Sequence, residues 1–307
     1  MESREAMKQP KHLLMAVLSA AVLSLLCLQP AANAQKSVPD ADFVVAQPVI
    51  NMYSKPAADS DVSSQVLYGT GVHSLEKNGD WTKVRTADDY TGWVRSSDLH
   101  AREQCGYGTE GQYVEVTARS ANVYRVPDVT QHAPTLLLPW ESRLQIAADT
   151  DPKSERWLKV RLVDGQSAFV QKGDVGPAAA PLSIDDMLKL ARRFLGVTYT
   201  WGGVSSFGFD CSGFTQMLER QRGVIMPRDA DIQAEWTGVT AVERKDLQPG
   251  DLLFFGSSPA HITHTGMYIG NGEFIHDTVH DHPGVQISRL DDMPWTKLLV
   301  AARRVKP

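Results

Sequence analysis

Tyr199-Thr200-Trp201-Gly202-Gly203 and then Phe209-Asp210-Cys211-Ser212-Gly213-Phe214 form the stretch that decides how this chain folds. A loop rich in glycine and aromatic residues runs into a segment with apolar positions at Phe214, Met217 and Leu218. That spacing predicts a helix, closed by Gly223. Cys211 therefore falls in the first helical turn, where unpaired backbone N–H groups and the helix dipole favour a thiolate. Ser212 and Gly213 are small and leave the sulfur open to a substrate. A cysteine so placed is suited to be a nucleophile.

Working outward, a nucleophilic thiol needs a base, and two histidines follow. His264 opens the strand-like run His264-Thr265-Gly266-Met267-Tyr268-Ile269-Gly270, and His276 ends Glu273-Phe274-Ile275-His276. Asn271-Gly272 between them is a strong hairpin signal. Antiparallel neighbours would bring the two imidazoles together, so that one pairs with Cys211 and the other orients it.

Five motifs now stand in order: Tyr-x-Trp-Gly-Gly, Asp-Cys-Ser-Gly-Phe, Pro-Gly-Asp-Leu-Leu-Phe-Phe (Pro249 to Phe255), His-Thr-Gly-Met-Tyr-Ile-Gly and Phe-Ile-His. Together they resemble the NlpC/P60 cysteine peptidases of bacterial cell walls over roughly the last 125 residues. The resemblance implies a papain-like α+β domain, with Cys211 on a helix against an antiparallel sheet. The residues agree: helices come first and about five strand-like runs follow, 252–255, 265–269, 273–277, 285–290 and 298–305. Ser183 and Asp186 read as a capping-box-like helix start. Met187, Leu188, Ala191, Phe194 and Leu195 give an apolar stripe, and Gly196 ends it.

The preceding chain carries a repeat. Trp81-x-Lys83-Val84-Arg85 recurs as Trp157-x-Lys159-Val160-Arg161, and Val94 and Asp98 recur as Val170 and Asp174, all 76 residues on. Asn51-Met52-Tyr53 with Pro56 recurs as Asn122-Val123-Tyr124 with Pro127, only 71 residues on. One unit is duplicated, with five residues inserted in the second copy. Short β-branched or aromatic runs between turn residues argue a small β-barrel in each copy. The pattern resembles bacterial SH3 modules, with Trp81 and Trp157 as core fillers. The expected organisation is a leader over 1–34, SH3-like modules over 41–102 and 111–176, and a catalytic domain over 182–307.

A net charge of −5 and the absence of a basic run after the N-terminus argue against a nucleic-acid binder. Arg4, Lys8 and Lys11 precede an apolar run from Leu13 to Leu28, and Ala32-Asn33-Ala34 fits a small-x-small cleavage site. The run, about 16 residues, is short for a span that needs ~20. Cys27 follows bulky Leu26, which argues against a lipoprotein anchor. Cleavage after Ala34 would place the protein in the periplasm or outside the cell, with no membrane association afterwards. Cys105 and Cys211 then remain; pairing them would silence the nucleophile, so Cys105 reads as a linker cysteine.

The resemblance implies amide hydrolysis through a thioester. Cys211 attacks, His264 takes its proton, His276 orients His264, and Tyr199 with the Cys211 N–H holds the oxyanion. In relatives bearing SH3 modules, Asp210 and Ser212 occupy positions that grip the free amine of L-Ala in L-Ala-γ-D-Glu-diamino acid. A tyrosine of the first module, matched by Tyr90 in Tyr90-Thr91-Gly92-Trp93, faces that substrate; Trp201, Arg228 and Asp229 complete the candidate substrate contacts. Two departures weaken strict free-amine specificity. Ser63 and Ser64 stand where relatives carry an acid, and Ala230 where they often carry serine. His261, His264, His276, His280 and His282 lack a recognised zinc spacing, so no metal or other cofactor is expected. The expected partner is a peptidoglycan stem peptide; oligomeric state is left open. A non-enzymatic wall-binding adaptor, or an acyltransferase or lipid hydrolase on the same triad, are the competing readings.

Overall fold

The computed structural model describes residues 41–108 and 111–306. The expected leader, its cleavage site and the Cys105 side chain lie outside what is described. Among the described residues no helix is long and apolar enough to cross a membrane.

Seven short strands, β1 (Phe43–Val45), β2 (Val49–Tyr53), β3 (Val62–Leu67), β4 (Gly71–Asn78), β5 (Trp81–Arg85), β6 (Thr91–Arg95) and β7 (Leu99–Ala101), pair in the order β3-β2-β6-β5-β4-β1-β7. A one-turn helix, α1 (Arg102–Cys105), follows. The next seven are β8 (Tyr113–Val116), β9 (Ser120–Tyr124), β10 (Leu136–Pro139), β11 (Arg143–Ile146), β12 (Trp157–Arg161), β13 (Ser167–Gln171) and β14 (Val175–Gly176). They pair as β10-β9-β13-β12-β11-β8-β14, the first order shifted by seven. The sequence repeat is thus a topological repeat of an SH3-like unit. Even an aromatic contact recurs: Tyr53 meets Trp81 edge-on at 5.3 Å, and Tyr124 meets Trp157 at 5.5 Å. The two tryptophans differ in depth, however. Trp81 is buried, whereas Trp157 is half-buried and so not the plain core filler expected from its spacing.

The last part of the chain is α+β. It comprises α2 (Ile184–Arg193), the hairpin β15 (Val204–Ser205) and β16 (Gly208–Phe209), α3 (Cys211–Gln221), α4 (Ala230–Glu235), and a six-stranded antiparallel sheet. The sheet contains β17 (Val239–Ala241), β18 (Leu252–Ser258), β19 (His261–Gly270), β20 (Glu273–Thr278), β21 (Gly284–Arg289) and β22 (Leu299–Val305), ordered β17-β22-β18-β19-β20-β21. Ser183 caps α2 by accepting from the Asp186 N–H at 3.1 Å, as its sequence signature implies. The helix ends at Arg193, so Leu195 lies past its apolar stripe and is 40% exposed. The β15–β16 hairpin and β17 were not legible as strands because each is only two or three residues long.

Alternation along β18 sorts the sheet into two buried faces. Leu252 and Phe254 pack into the core with α2, α3 and α4, while Leu253 and Phe255 pack with Leu290 and Trp295. Trp295 belongs to α5 (Trp295–Leu298). Asn271 and Gly272 join β19 to β20 with φ of 55° and 76°, the left-handed pair a tight hairpin turn demands.

Helix α3 is buried on nearly every side. Its outer face is covered by both modules. Gln216 donates to Asp88 of the first module at 2.8 Å. Arg220 and Gln221 both reach Glu141 of the second, at 2.7 and 2.5 Å. Trp140 of the second module enters the catalytic core, 5.7 Å edge-on from Phe194. Glu141 is buried, so removing its carboxylate strands donors that folding has taken out of water. Glu141→Ala is expected to cost about 1–3 kcal/mol and to loosen the second module, read as a lower melting temperature and faster amide exchange in β10 and β11; Glu141→Gln should lose less.

Candidate active site

The first turn of α3 is built by its cap. Asp210 precedes the helix in extended conformation and its Oδ1 accepts from the Gly213 N–H at 2.7 Å. Gly213 can carry no side chain, because a Cβ there would run into the Gly203 carbonyl. The two glycine motifs of the sequence therefore meet in space, and their contact holds Cys211 at the helix start.

Asp210 is fully engaged within the protein. Arg228 grips it bidentately, at 3.0 Å to Oδ1 and 2.6 Å to Oδ2, and the Gly202 N–H adds 3.0 Å to Oδ2. Ser212 donates to Oδ1 at 3.3 Å and accepts from Arg228 at 2.7 Å. Five donors on a carboxylate with about four lone-pair sites leave no vacancy for another. Arg228 also donates from Nε to Ser64 of the first module at 3.1 Å. Beside this network Tyr90 donates to Asp229 at 3.4 Å, and both are half-buried. Burial raises the pKa of each. Trp201 projects into solvent, 70% exposed.

The histidines lie on the neighbouring strands β19 and β20. The register pairs of β19 and β20 run from Gly270–Glu273 to Met267–Ile275. His264 and His276 stand just past the last of these pairs. Gly266 makes their approach possible, since a Cβ there would sit 2.9 Å from the His276 Cβ. His264 Nε2 lies 2.8 Å from His276 Nδ1, and His276 Nε2 lies 3.0 Å from the Ser288 hydroxyl. Trp295 covers both rings, at 5.3 Å from His264 and 4.7 Å from His276. The Thr265 N–H lies against the Cys211 sulfur, which puts His264 one residue from it. Tyr199 is near enough for the Cys211 charge to raise its pKa, after burial itself.

The electrostatics run against the sequence expectation for the sulfur. Burial and then the Asp210 charge push the Cys211 pKa up to about 12, outweighing the N–H groups of Thr265 and Ser212. The resting group is a thiol. Burial pulls His264 down to about 3 and His276 well below its ordinary value, so both imidazoles are neutral. Neither the thiol nor the two imidazoles carry charge in the resting site.

The sequence offered no signal for Trp295, Ser288 or Asp277, which lie outside the five motifs. Asp277 follows His276 and is fully buried, with neither oxygen in a well-formed hydrogen bond; the Phe209 and Thr278 N–H groups approach it. Burial and then the Asp210 charge raise its pKa to about 8. Among the described residues no group of three or more His, Cys, Asp or Glu could hold a metal ion.

A family model described as NlpC/P60 matches residues 196–304, and one described as a bacterial dipeptidyl-peptidase SH3 domain matches residues 52–99. A γ-D-glutamyl-L-lysine dipeptidyl-peptidase of Bacillus cereus is 33% identical over 80% of this chain and 76% of its own length. A protein of the same name from Bacillus subtilis is 29% identical, over 80% of this chain and 82% of its length. The crystal structure of an NlpC/P60 family protein from Bacillus cereus superposes with a TM-score of 0.74 at 26% identity, covering 87% of this chain and all of that one.

Because the Asp277 pKa is raised on folding, the proton it holds stabilises the fold. That contribution is complete below the ordinary 3.8 and is lost as pH rises toward about 8. Asp277→Asn removes the titration while keeping the shape. The melting temperature of the variant is expected to gain on the parent steadily between pH 4 and pH 8; a constant difference across that range would refute the assignment.

Proposed function

This chain belongs to the NlpC/P60 family of cysteine peptidases, and from that premise we propose that it is an exported cell-wall endopeptidase. It hydrolyses the bond between γ-D-Glu and a diamino acid in peptidoglycan stem peptides, using Cys211, His264 and His276. The observation that carries the reading is the pair of neutral imidazoles 2.8 Å apart, beside the strand residue whose N–H meets the nucleophile sulfur.

With its Nε2 turned to His276, His264 leaves Nδ1 for Cys211. As the sulfur attacks the γ-carbonyl carbon, its proton passes to Nδ1. His276 accepts the Nε2–H and disperses the positive charge. The oxyanion is met by the Cys211 N–H and the Tyr199 hydroxyl, which burial keeps protonated. The proton on His264 then goes to the leaving amine, and water hydrolyses the thioester.

The engagement of Asp210 and Ser212 reassigns the substrate contacts. Both form, with Arg228, a buried platform under the nucleophile. Recognition of a free L-Ala amine falls to Asp229 and Tyr90, which are half-exposed and border that platform. Asp229 thereby takes over the duty of the acid that relatives carry where Ser63 and Ser64 stand. Exposed Trp201 offers an apolar surface for the peptide. The names of the Bacillus relatives, the leader sequence and the SH3-like modules support an extracellular or periplasmic place of work.

Purified L-Ala-γ-D-Glu-diaminopimelate should release L-Ala-D-Glu with the parent protein and none with Cys211→Ala. No release by either, with muropeptide still bound, would favour a wall-binding adaptor. Asp229→Asn should raise KM for the free-amine peptide at least tenfold and leave an N-acetylated peptide unaffected. The pH profile follows from the shifts. The base is active when neutral, and His264 protonates only near pH 3, so kcat/KM should not fall between pH 7 and pH 5 through loss of the base. An acid limb at about 6.5 in the free enzyme, near the ordinary histidine value, would contradict it.

A further inference from the structure

Two neutral histidines in contact can share one proton in two ways, and only one of them leaves a working base. If His276 carries its proton on Nε2, its Nδ1 accepts from the His264 Nε2–H, and His264 Nδ1 is a free lone pair. If His276 carries it on Nδ1, that N–H donates to His264 Nε2, and the His264 proton moves to Nδ1, where it faces the sulfur. The second arrangement cannot accept a proton from the thiol. The 2.8 Å contact between the rings is compatible with both.

What separates them is the far nitrogen of His276, which lies 3.0 Å from the Ser288 Oγ. His276 is fully buried, with Phe274 at 4.4 Å and Trp295 at 4.7 Å from its ring. An N–H pointing at Ser288 is satisfied there, and no water need enter. Ser288 is half-buried on β21, the edge strand of the sheet, between exposed Ile287 and Arg289. Its hydroxyl can therefore accept from His276 and send its own hydrogen outward to solvent.

We propose that Ser288 is a positioning residue that fixes the proton of His276 on Nε2, and through it keeps His264 Nδ1 open toward Cys211. This inference rests on the reading of Cys211, His264 and His276 as the catalytic trio. No bond is made or broken at Ser288 itself. During attack the sulfur proton moves to His264 Nδ1, His264 keeps donating its Nε2–H to His276 Nδ1, and His276 keeps donating its Nε2–H to the serine oxygen. The chain of hydrogen bonds ends at the surface, where the serine hydroxyl points its own hydrogen to solvent.

The first test needs no variant. Nitrogen-15 spectra of histidine-labelled protein at pH 7 should show both His264 and His276 protonated at Nε2. An Nδ1–H form of either ring overturns the proposal. The second test removes the hydroxyl. Ser288→Ala should lower kcat roughly 10- to 10²-fold with KM unchanged, short of the ~10⁴ that a wrong histidine tautomer costs a serine protease. It should move the His276 proton to Nδ1 and slow iodoacetamide alkylation of Cys211 about as much. Ser288→Thr, which keeps a hydroxyl, should recover most of both losses. Unchanged kcat in the alanine variant, or equal loss in the threonine variant with an unchanged melting temperature, sinks it. The spectra and the alkylation use no peptide. If they behave as stated while muropeptide goes uncut, the assignment of Ser288 stands and the peptidase reading fails. If muropeptide is cut equally well without the hydroxyl, the reverse holds.

Discussion

The geometry of the site depends on one buried ion pair. Asp210 caps the helix that begins at Cys211, and Arg228 neutralises it from a separate segment of the chain. A lone carboxylate next to the sulfur would oppose formation of a thiolate and of an oxyanion alike. Bound to a guanidinium and two backbone N–H groups, it becomes a rigid element of nearly balanced charge. Removing one partner of such a pair is far costlier than never having built it. The same carboxylate then serves two ends: it starts the helix, and it ties the Gly202 loop to it.

Burial has the larger say in the proton chemistry. The helix start should help a thiolate, but that effect is worth about 1 kcal/mol, and the sulfur is nearly out of water. Desolvation dominates and keeps the sulfur protonated. It acts the other way on the histidines and keeps them neutral. Trp295 is central to this because it packs against both rings at once. A resting site without separated charge asks for no counter-ion, which fits a sheet face otherwise made of phenylalanine and leucine.

Much of this was legible in the residues. The duplicated tryptophan strands gave two modules of identical strand order. Asn271-Gly272 placed two histidines on adjacent strands, and the glycine-cysteine motif marked the helix start. These signals are local: a turn, a period, a cap. The rest depends on segments distant in sequence. Nothing around Asp210 says that Arg228 will occupy it, so a carboxylate beside the nucleophile read as a substrate contact. The apolar positions of α3 say nothing of what covers its polar side, which Asp88 and Glu141 do from modules earlier in the chain. Ser288 and Trp295 lie in no motif and act only through the folded sheet.

The modules are more than tethers, because Arg228 is shared. Its Nε is held by Ser64 of the first module while its other nitrogens hold Asp210. The charge balance beside the Cys211 sulfur is therefore fixed partly from outside the last domain. An acid at the Ser64 side, as the resemblance leads one to expect, would set two carboxylates against one guanidinium and leave a negative charge directly beneath the sulfur. Serine there accepts the Nε–H without adding charge. The surplus negative charge sits instead on Asp229, farther out, beside the Tyr90 hydroxyl from the same module. An acid at the rim, outside the platform, leaves the Asp210–Arg228 pair balanced beside the thiol. The first module thus supplies two hydroxyls with separate duties: Ser64 holds Arg228, and Tyr90 donates to Asp229.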